Sequence, residues 1–290
     1  MTILLCAGSF FLATEWLLQT KVVPHDHMIM RAKLFHKRPH LNTIFGDSQM
    51  RDGVNMLPGF SNFSTGSQTY PEIEAKLKAF YGDVDAPFQV IIHAAVNNFA
   101  EYRDRPDRQE IAGLFLKDGT NGPFMIQPYY QETAWRYWKN FIENDFKITD
   151  GGERFNPDGS TSRFGDFSKL SGEQQNKIML EMIDSYRPLD DPKSLKAYAA
   201  FINIFEFLKN KNAQVCLVLM PMQKTARGLF VKDENVAQVL KIFKETARAY
   251  DLRYVDLMTD AYPDAYFDDA SHLNETGAQK ITQRVQSRCF

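Results

Sequence analysis

At 290 residues the chain is long enough for one large domain or two small ones, and long enough to bury a full core. Apolar residues make up 44% and charged residues 24%, the balance of a globular protein rather than a disordered one. A net charge of −2, with no long run of Lys or Arg, lacks the basic footprint of a nucleic-acid binder.

The apolar stretch over residues 3–18 is about 16 long, short of the roughly 20 residues a membrane span needs, and is interrupted by Thr14 and Glu15. It reads as an N-terminal anchor or signal segment over residues 1–20, ahead of the alternative of a buried first helix. No basic residues precede it. The cluster Lys21, Arg31, Lys33, Lys37 and Arg38 then argues for a cytoplasmic domain by the positive-inside rule, and a further basic segment upstream would reverse that inference. Residues 21–40 read as a linker, in which His25-Asp26-His27 is a solvated stretch rather than a metal site.

From residue 41 the pattern alternates between short apolar runs and helical periodicity. Leu41–Phe45 reads as a buried strand ending at Gly46, and Phe60–Ser64 as a second run ending at Gly66. Tyr70–Tyr81 carries Ile73, Leu77, Phe80 and Tyr81 at helical spacing, with Pro71 in its first turn. Phe88–Ala95 is a strand-length apolar run containing His93, which reads as a hydrogen-bonded core residue. Late in the chain come a helix over Leu195–Leu208, a strand over Gln214–Met220, a helix over Val236–Ala249 and a strand over Arg253–Leu257. The last helix is Glu275–Arg288, with Asn274 as N-cap.

Short apolar strands alternating with helices predict an α/β fold, a mostly parallel sheet covered on both faces. Residues 100–192 hold most of the turn signals and read as a large insertion over the carboxyl ends of the strands. Within it Trp135, Trp138 and Phe141 form a stripe at i, i+3 and i+6, either packing against the domain or stacking on a sugar substrate.

The three cysteines, Cys6, Cys216 and Cys289, form no cluster with zinc spacing, so neither a metal nor another cofactor is expected. Cys216, inside the apolar run Val215–Leu219, reads as a small buried hydrophobe, and no disulfide framework is expected.

Four loops that follow apolar runs carry reactive side chains. Ser48 in Gly46-Asp47-Ser48 can attack an acyl carbon if a base takes its proton. Gly66 can bring its backbone N–H close to a substrate. The Asn97 amide is a donor of the kind that stabilises an oxyanion. Asp269, three residues before His272, can hold that ring's tautomer while its other nitrogen faces the serine. Arg51, three residues past the serine, is a candidate for an anionic substrate group, or the partner of a nearby carboxylate.

The ordered set resembles the SGNH hydrolases, the GDSL esterase/lipase superfamily. Phe45-Gly46-Asp47-Ser48-Gln49 is similar to its first block, and Asn62-Phe63-Ser64-Thr65-Gly66 to its second, with Gly59 as a competing glycine. Ala95-Val96-Asn97-Asn98 is similar to the third, with Ala95 and Asn98 departing from G-x-N-D. Asp269-Ala270-Ser271-His272 is similar to the last, D-x-x-H. The resemblance implies a flavodoxin-like α/β/α fold over residues 41–290, with residues 100–192 unmatched. It implies a Ser48-His272-Asp269 triad, and an oxyanion hole of Ser48 N–H, Gly66 N–H and the Asn97 amide. It also implies a serine esterase acting on acyl groups, expected to be acetyl, of a small-molecule or polysaccharide substrate. Alternatives are an O-acetyltransferase of an envelope polysaccharide, a silent carbohydrate- or partner-binding module, and a cytoplasmic esterase or thioesterase. The expected place is the cell envelope, anchored or exported, with the cytoplasm as the alternative.

Overall fold

A computed structural model describes residues 2–22, 26–103, 115–116 and 153–290. Five strands form one parallel sheet in the order β2-β1-β3-β6-β7. They are β1 (Asn42–Phe45), β2 (Phe60–Asn62), β3 (Gln89–His93), β6 (Gln214–Leu219) and β7 (Arg253–Asp256). A separate antiparallel hairpin joins β4 (Glu153–Phe155) to β5 (Thr161–Arg163). In the centre of the sheet, Val90, Ile91 and Ile92 of β3 and Cys216, Leu217 and Val218 of β6 are all fully buried. Consecutive residues point to opposite faces, so both faces are covered, which is why these strands read as unbroken apolar runs.

The helices supply that cover. Helix α4 (Tyr70–Tyr81) packs on α6 (Lys196–Asn210), and α9 (Glu275–Cys289) packs on α3 (Ser48–Gly53) and on β7. Each has a local reason to start where it does. The Glu72 carboxylate accepts from the Thr69 N–H at 2.8 Å ahead of α4, and the Asn274 side chain accepts from Gly277 N–H at 3.0 Å ahead of α9. Asp233 caps α8 (Glu234–Ala249) in the same way. The short α7 (Lys224–Phe230) lies between β6 and α8, and α5 (Gly172–Tyr186) precedes α6.

Most of the described part of the segment expected as a linker forms a helix. Asp26 caps α2 (His27–Lys37), and Ile29, Ala32 and Phe35 enter the core. Arg31 is fully buried; its Nε donates to Gly159 O at 2.7 Å and its Nη2 to Thr161 Oγ1 at 3.1 Å. A polar-looking stretch thus anchors the β4–β5 hairpin, a contact that no local sequence pattern announces. The hairpin turn lies against β2, where Asn62 N–H donates to Asp158 O at 2.6 Å. Gly159 has φ +95°, and a Cβ there would strike the Asn62 carbonyl, so the turn needs glycine.

Cys216 and Cys289 form a disulfide with Cα atoms 5.5 Å apart, which corrects the expectation of unpaired cysteines. They are separated by 73 positions, and only the packing of α9 beside β6 brings them together. At the other end, α1 (Thr2–Leu17) exposes Phe10, Leu12 and Trp16. Among the described residues no helix is long and apolar enough to cross a membrane. Trp135, Trp138 and Phe141 lie outside the described residues.

Candidate active site

The order 2-1-3 places β1 between β2 and β3, so the loops leaving the carboxyl ends of all three strands converge. Ser48 leaves β1 as the first residue of α3; Gly66 follows β2; Asn97 follows β3 in a short 3-10 turn. Gly59 instead precedes β2, at the opposite edge, so Gly66 is the glycine on the serine's side. Thr65 N–H donates to Gly46 O at 3.1 Å, which ties the Gly66 loop to the serine loop.

His272 arrives from the loop before α9. Its Nε2 lies 2.7 Å from Ser48 Oγ, and its Nδ1 lies 2.8 Å from Asp269 Oδ2. The three-residue spacing lets one carboxylate do several jobs. Asp269 Oδ1 accepts from the backbone N–H groups of Ser271 and His272, each at 2.8 Å, while Oδ2 faces the ring. Burial alone would raise the Asp269 pKa, but His272 and these N–H groups outweigh it and hold the carboxyl well below the usual range. For His272, burial alone favours the neutral ring, and Asp269 overrides it, so its pKa lies above the ordinary imidazole value.

Beneath the serine lies a buried polar cluster around Asp47. Its Oδ2 accepts from Asn97 Nδ2 at 2.9 Å and from Arg103 Nη2 at 3.1 Å. Its Oδ1 accepts from Gln49 N–H at 3.0 Å and lies 3.0 Å from His93 Nδ1. That last pair falls outside hydrogen-bond geometry, so we treat it as an electrostatic contact. Asp47 is fully buried, which would raise its pKa, yet His93, Arg103 and Asn97 hold it well below the carboxylate range. His93 is therefore a core residue with an anionic neighbour, and the Asn97 amide is held by the residue just before Ser48. Asn98, where the G-x-N-D block has Asp, accepts from Tyr70 N–H at 3.0 Å, and the Tyr70 hydroxyl accepts from Ala95 N–H at 2.9 Å. Tyr70 thus links the two ends of that block.

Arg51 is taken up by carboxylates. Its Nε and Nη2 meet Asp52 at 2.5 and 2.9 Å, and Nη2 reaches Glu153 at 3.5 Å. Its Nη1 edge faces Gly66, where a Cβ would stand 3.5 Å away. Asp47, Asp52, Arg103 and Arg163 were not singled out as site residues by sequence, because their roles depend on partners far away in the chain. Among the described residues no cluster of His, Cys, Asp and Glu could hold a metal.

Residues 174–287, the part that carries Asp269 and His272, match the model of the DltD protein family, whose members are SGNH-like. The four blocks stand at one sheet edge in the order of that superfamily. With that partial match, the chain resembles the SGNH hydrolase superfamily. No curated protein sequence matches this chain. Its structure is similar to the crystal structure of the lipase/acylhydrolase from Enterococcus faecalis, at 12% identity and a TM-score of 0.41, covering 86% of this chain and 97% of the other.

Proposed function

We propose that this protein is a serine acyl hydrolase or transferase in which Ser48, His272 and Asp269 act as a catalytic triad. The unbroken chain of contacts from Ser48 Oγ through His272 to Asp269, at 2.7 and 2.8 Å, carries the proposal. His272 Nε2 takes the Ser48 proton as Oγ bonds to the ester carbonyl carbon. The oxyanion accepts from Ser48 N–H, Gly66 N–H and the Asn97 amide, and collapses as the ester C–O bond breaks. His272 returns the proton to the departing alcohol. Water then releases the acyl group as an acid, or a sugar hydroxyl accepts it.

An acetyl ester of a carbohydrate remains the substrate that the sequence resemblance favours. The DltD match supports transfer as the second reading, since that family is described as D-alanyl transfer proteins. A buried Cys216–Cys289 disulfide fits an oxidising compartment, and exposed Phe10, Leu12 and Trp16 on α1 fit contact with a membrane surface; both favour the cell envelope.

An organophosphonate should label wild-type protein at Ser48 and leave Ser48→Ala unlabelled. Hydrolysis of an aryl acetate should fall at least about a thousandfold in the same variant. Undiminished turnover by Ser48→Ala would remove the proposal.

A further inference from the structure

Arg163 takes no part in the acyl-transfer steps, yet it touches both halves of the site. It ends β5 in the hairpin, within the segment unmatched by the SGNH blocks. Its Nε donates to Asp52 Oδ2 at 2.7 Å, on the helix that begins with Ser48. Its Nη1 donates to Asp268 Oδ2 at 3.0 Å and stands 4.0 Å from Asp269 Oδ2, the oxygen that faces His272 Nδ1. Its Nη2 lies 3.4 Å from Glu153 on the neighbouring strand.

The chain is shaped for this approach. A Cβ at Gly165, two residues past β5, would meet the Asp268 carboxylate, so a side chain there would push that carboxylate out of its place. Asn274 Nδ2 donates to Gly165 O at 3.0 Å, and Phe167 N–H donates to Phe267 O at 2.8 Å. The segment just past β5 is therefore tied to the chain on either side of the Asp269–His272 loop.

We propose that Arg163 is a positioning residue that clamps the loop carrying Asp269 and His272 to the serine helix and sets a positive charge against that acid–base pair. The proposal rests on the triad assigned above. Asp269 and Asp52 favour the protonated His272, whereas Arg163 opposes it. Among the described residues the ring also meets the Ser48 hydroxyl at 2.7 Å and Ser271 Oγ at 3.3 Å, the latter 3.3 Å from the Tyr186 hydroxyl, and all three hydroxyls are neutral. Arg163 thus restrains the basicity that Asp269 confers, so that a larger share of His272 stays unprotonated and able to accept the serine proton. Removing it leaves Asp52 still held by Arg51 at 2.5 and 2.9 Å, so the buried carboxylate does not become an isolated charge.

The test measures the rate of organophosphonate labelling of the full chain against pH in wild type, Arg163→Met and Arg163→Lys. It is paired with an NMR titration of the His272 ring and thermal melts of all three. Arg163→Met should move the midpoint of the acid limb upward by about half a pH unit or more, with the same shift in the ring titration. Arg163→Lys should return most of it, because the charge is restored. A midpoint that stays in place in a folded Arg163→Met protein overturns the proposal while leaving the triad intact. Absence of Ser48-dependent labelling in wild type would instead sink the triad, and the ring titration alone would then decide whether Arg163 acts on His272. A shift that Arg163→Lys fails to reverse also counts against the charge.

Discussion

The two edges of the central sheet use the same strands to opposite ends. At the carboxyl edge, Asp47, Asp52, His93, Asn97 and Arg103 are all buried, and the carboxylates and guanidinium groups meet in pairs within about 3 Å. At the amino edge, the first residues of β3, β6 and β7 line a cleft of about 570 Å³ with Lys209 and Tyr250. There Gln214 and Arg253 are exposed, and Gln89 Nε2 bonds Gln214 Oε1 at 2.9 Å in contact with solvent. Charges held out of water interact strongly and keep fixed directions, whereas solvent screens and loosens the same groups at the amino edge. Burying those charges is costly unless they are paired, so the carboxyl edge exchanges stability for a fixed arrangement of donors and acceptors.

That contrast can be broken most directly at Asp47. Asp47→Ala leaves Arg103 and His93 facing a buried gap, and unfolding in denaturant should show a loss of about 3–5 kcal/mol. A loss below about 1 kcal/mol would mean that the buried cluster is not under electrostatic tension. Asn97→Ala should keep the fold while removing the proposed donor to the oxyanion. Its kcat should drop by about a hundredfold or more with KM little changed, and an effect confined to KM would make Asn97 a binding residue instead.

A third measurement concerns pH. The proposed base must be unprotonated, and the His272 pKa is raised, so if His272 is that base the labelling rate should fall about tenfold per unit below a midpoint above the ordinary imidazole value of about 6.5. A rate that stays flat down to about pH 5 would exclude His272 as the base. The stability signs differ for the two partners. The raised His272 contributes stability fully below its unfolded pKa and loses it as pH rises through the folded value. The depressed Asp269 contributes above the ordinary carboxylate range and loses it as pH falls. The smallest effect belongs to the amino edge: Gln214→Ala should change stability by less than about 0.5 kcal/mol and leave labelling untouched. A large change there would erase the distinction between the edges.

Local pattern alone was enough for the alternation of strands and helices, and for the start of α9 at Asn274. Apolar periodicity and capping act over a few residues, so they are written in consecutive letters. The spacing of Asp269 and His272 was equally legible, because a single loop places both on the same ring. Tertiary structure decided the rest. Arg31 and its helix read as a solvated linker until the hairpin carbonyl at Gly159 covered the guanidinium. Cys216 and Cys289 read as unrelated until α9 packed beside β6. Arg51 was an open candidate for substrate until Asp52, its own neighbour, and Glu153, 102 positions away, accepted from its N–H groups. Arg163 had no signal in the sequence, since its meaning comes from carboxylates 105 and 111 positions distant. The sequence by itself therefore determined the elements and the order of the reactive groups. Only the folded chain decided which charges lie together, because the burial that makes them strong is created by segments far apart in the sequence.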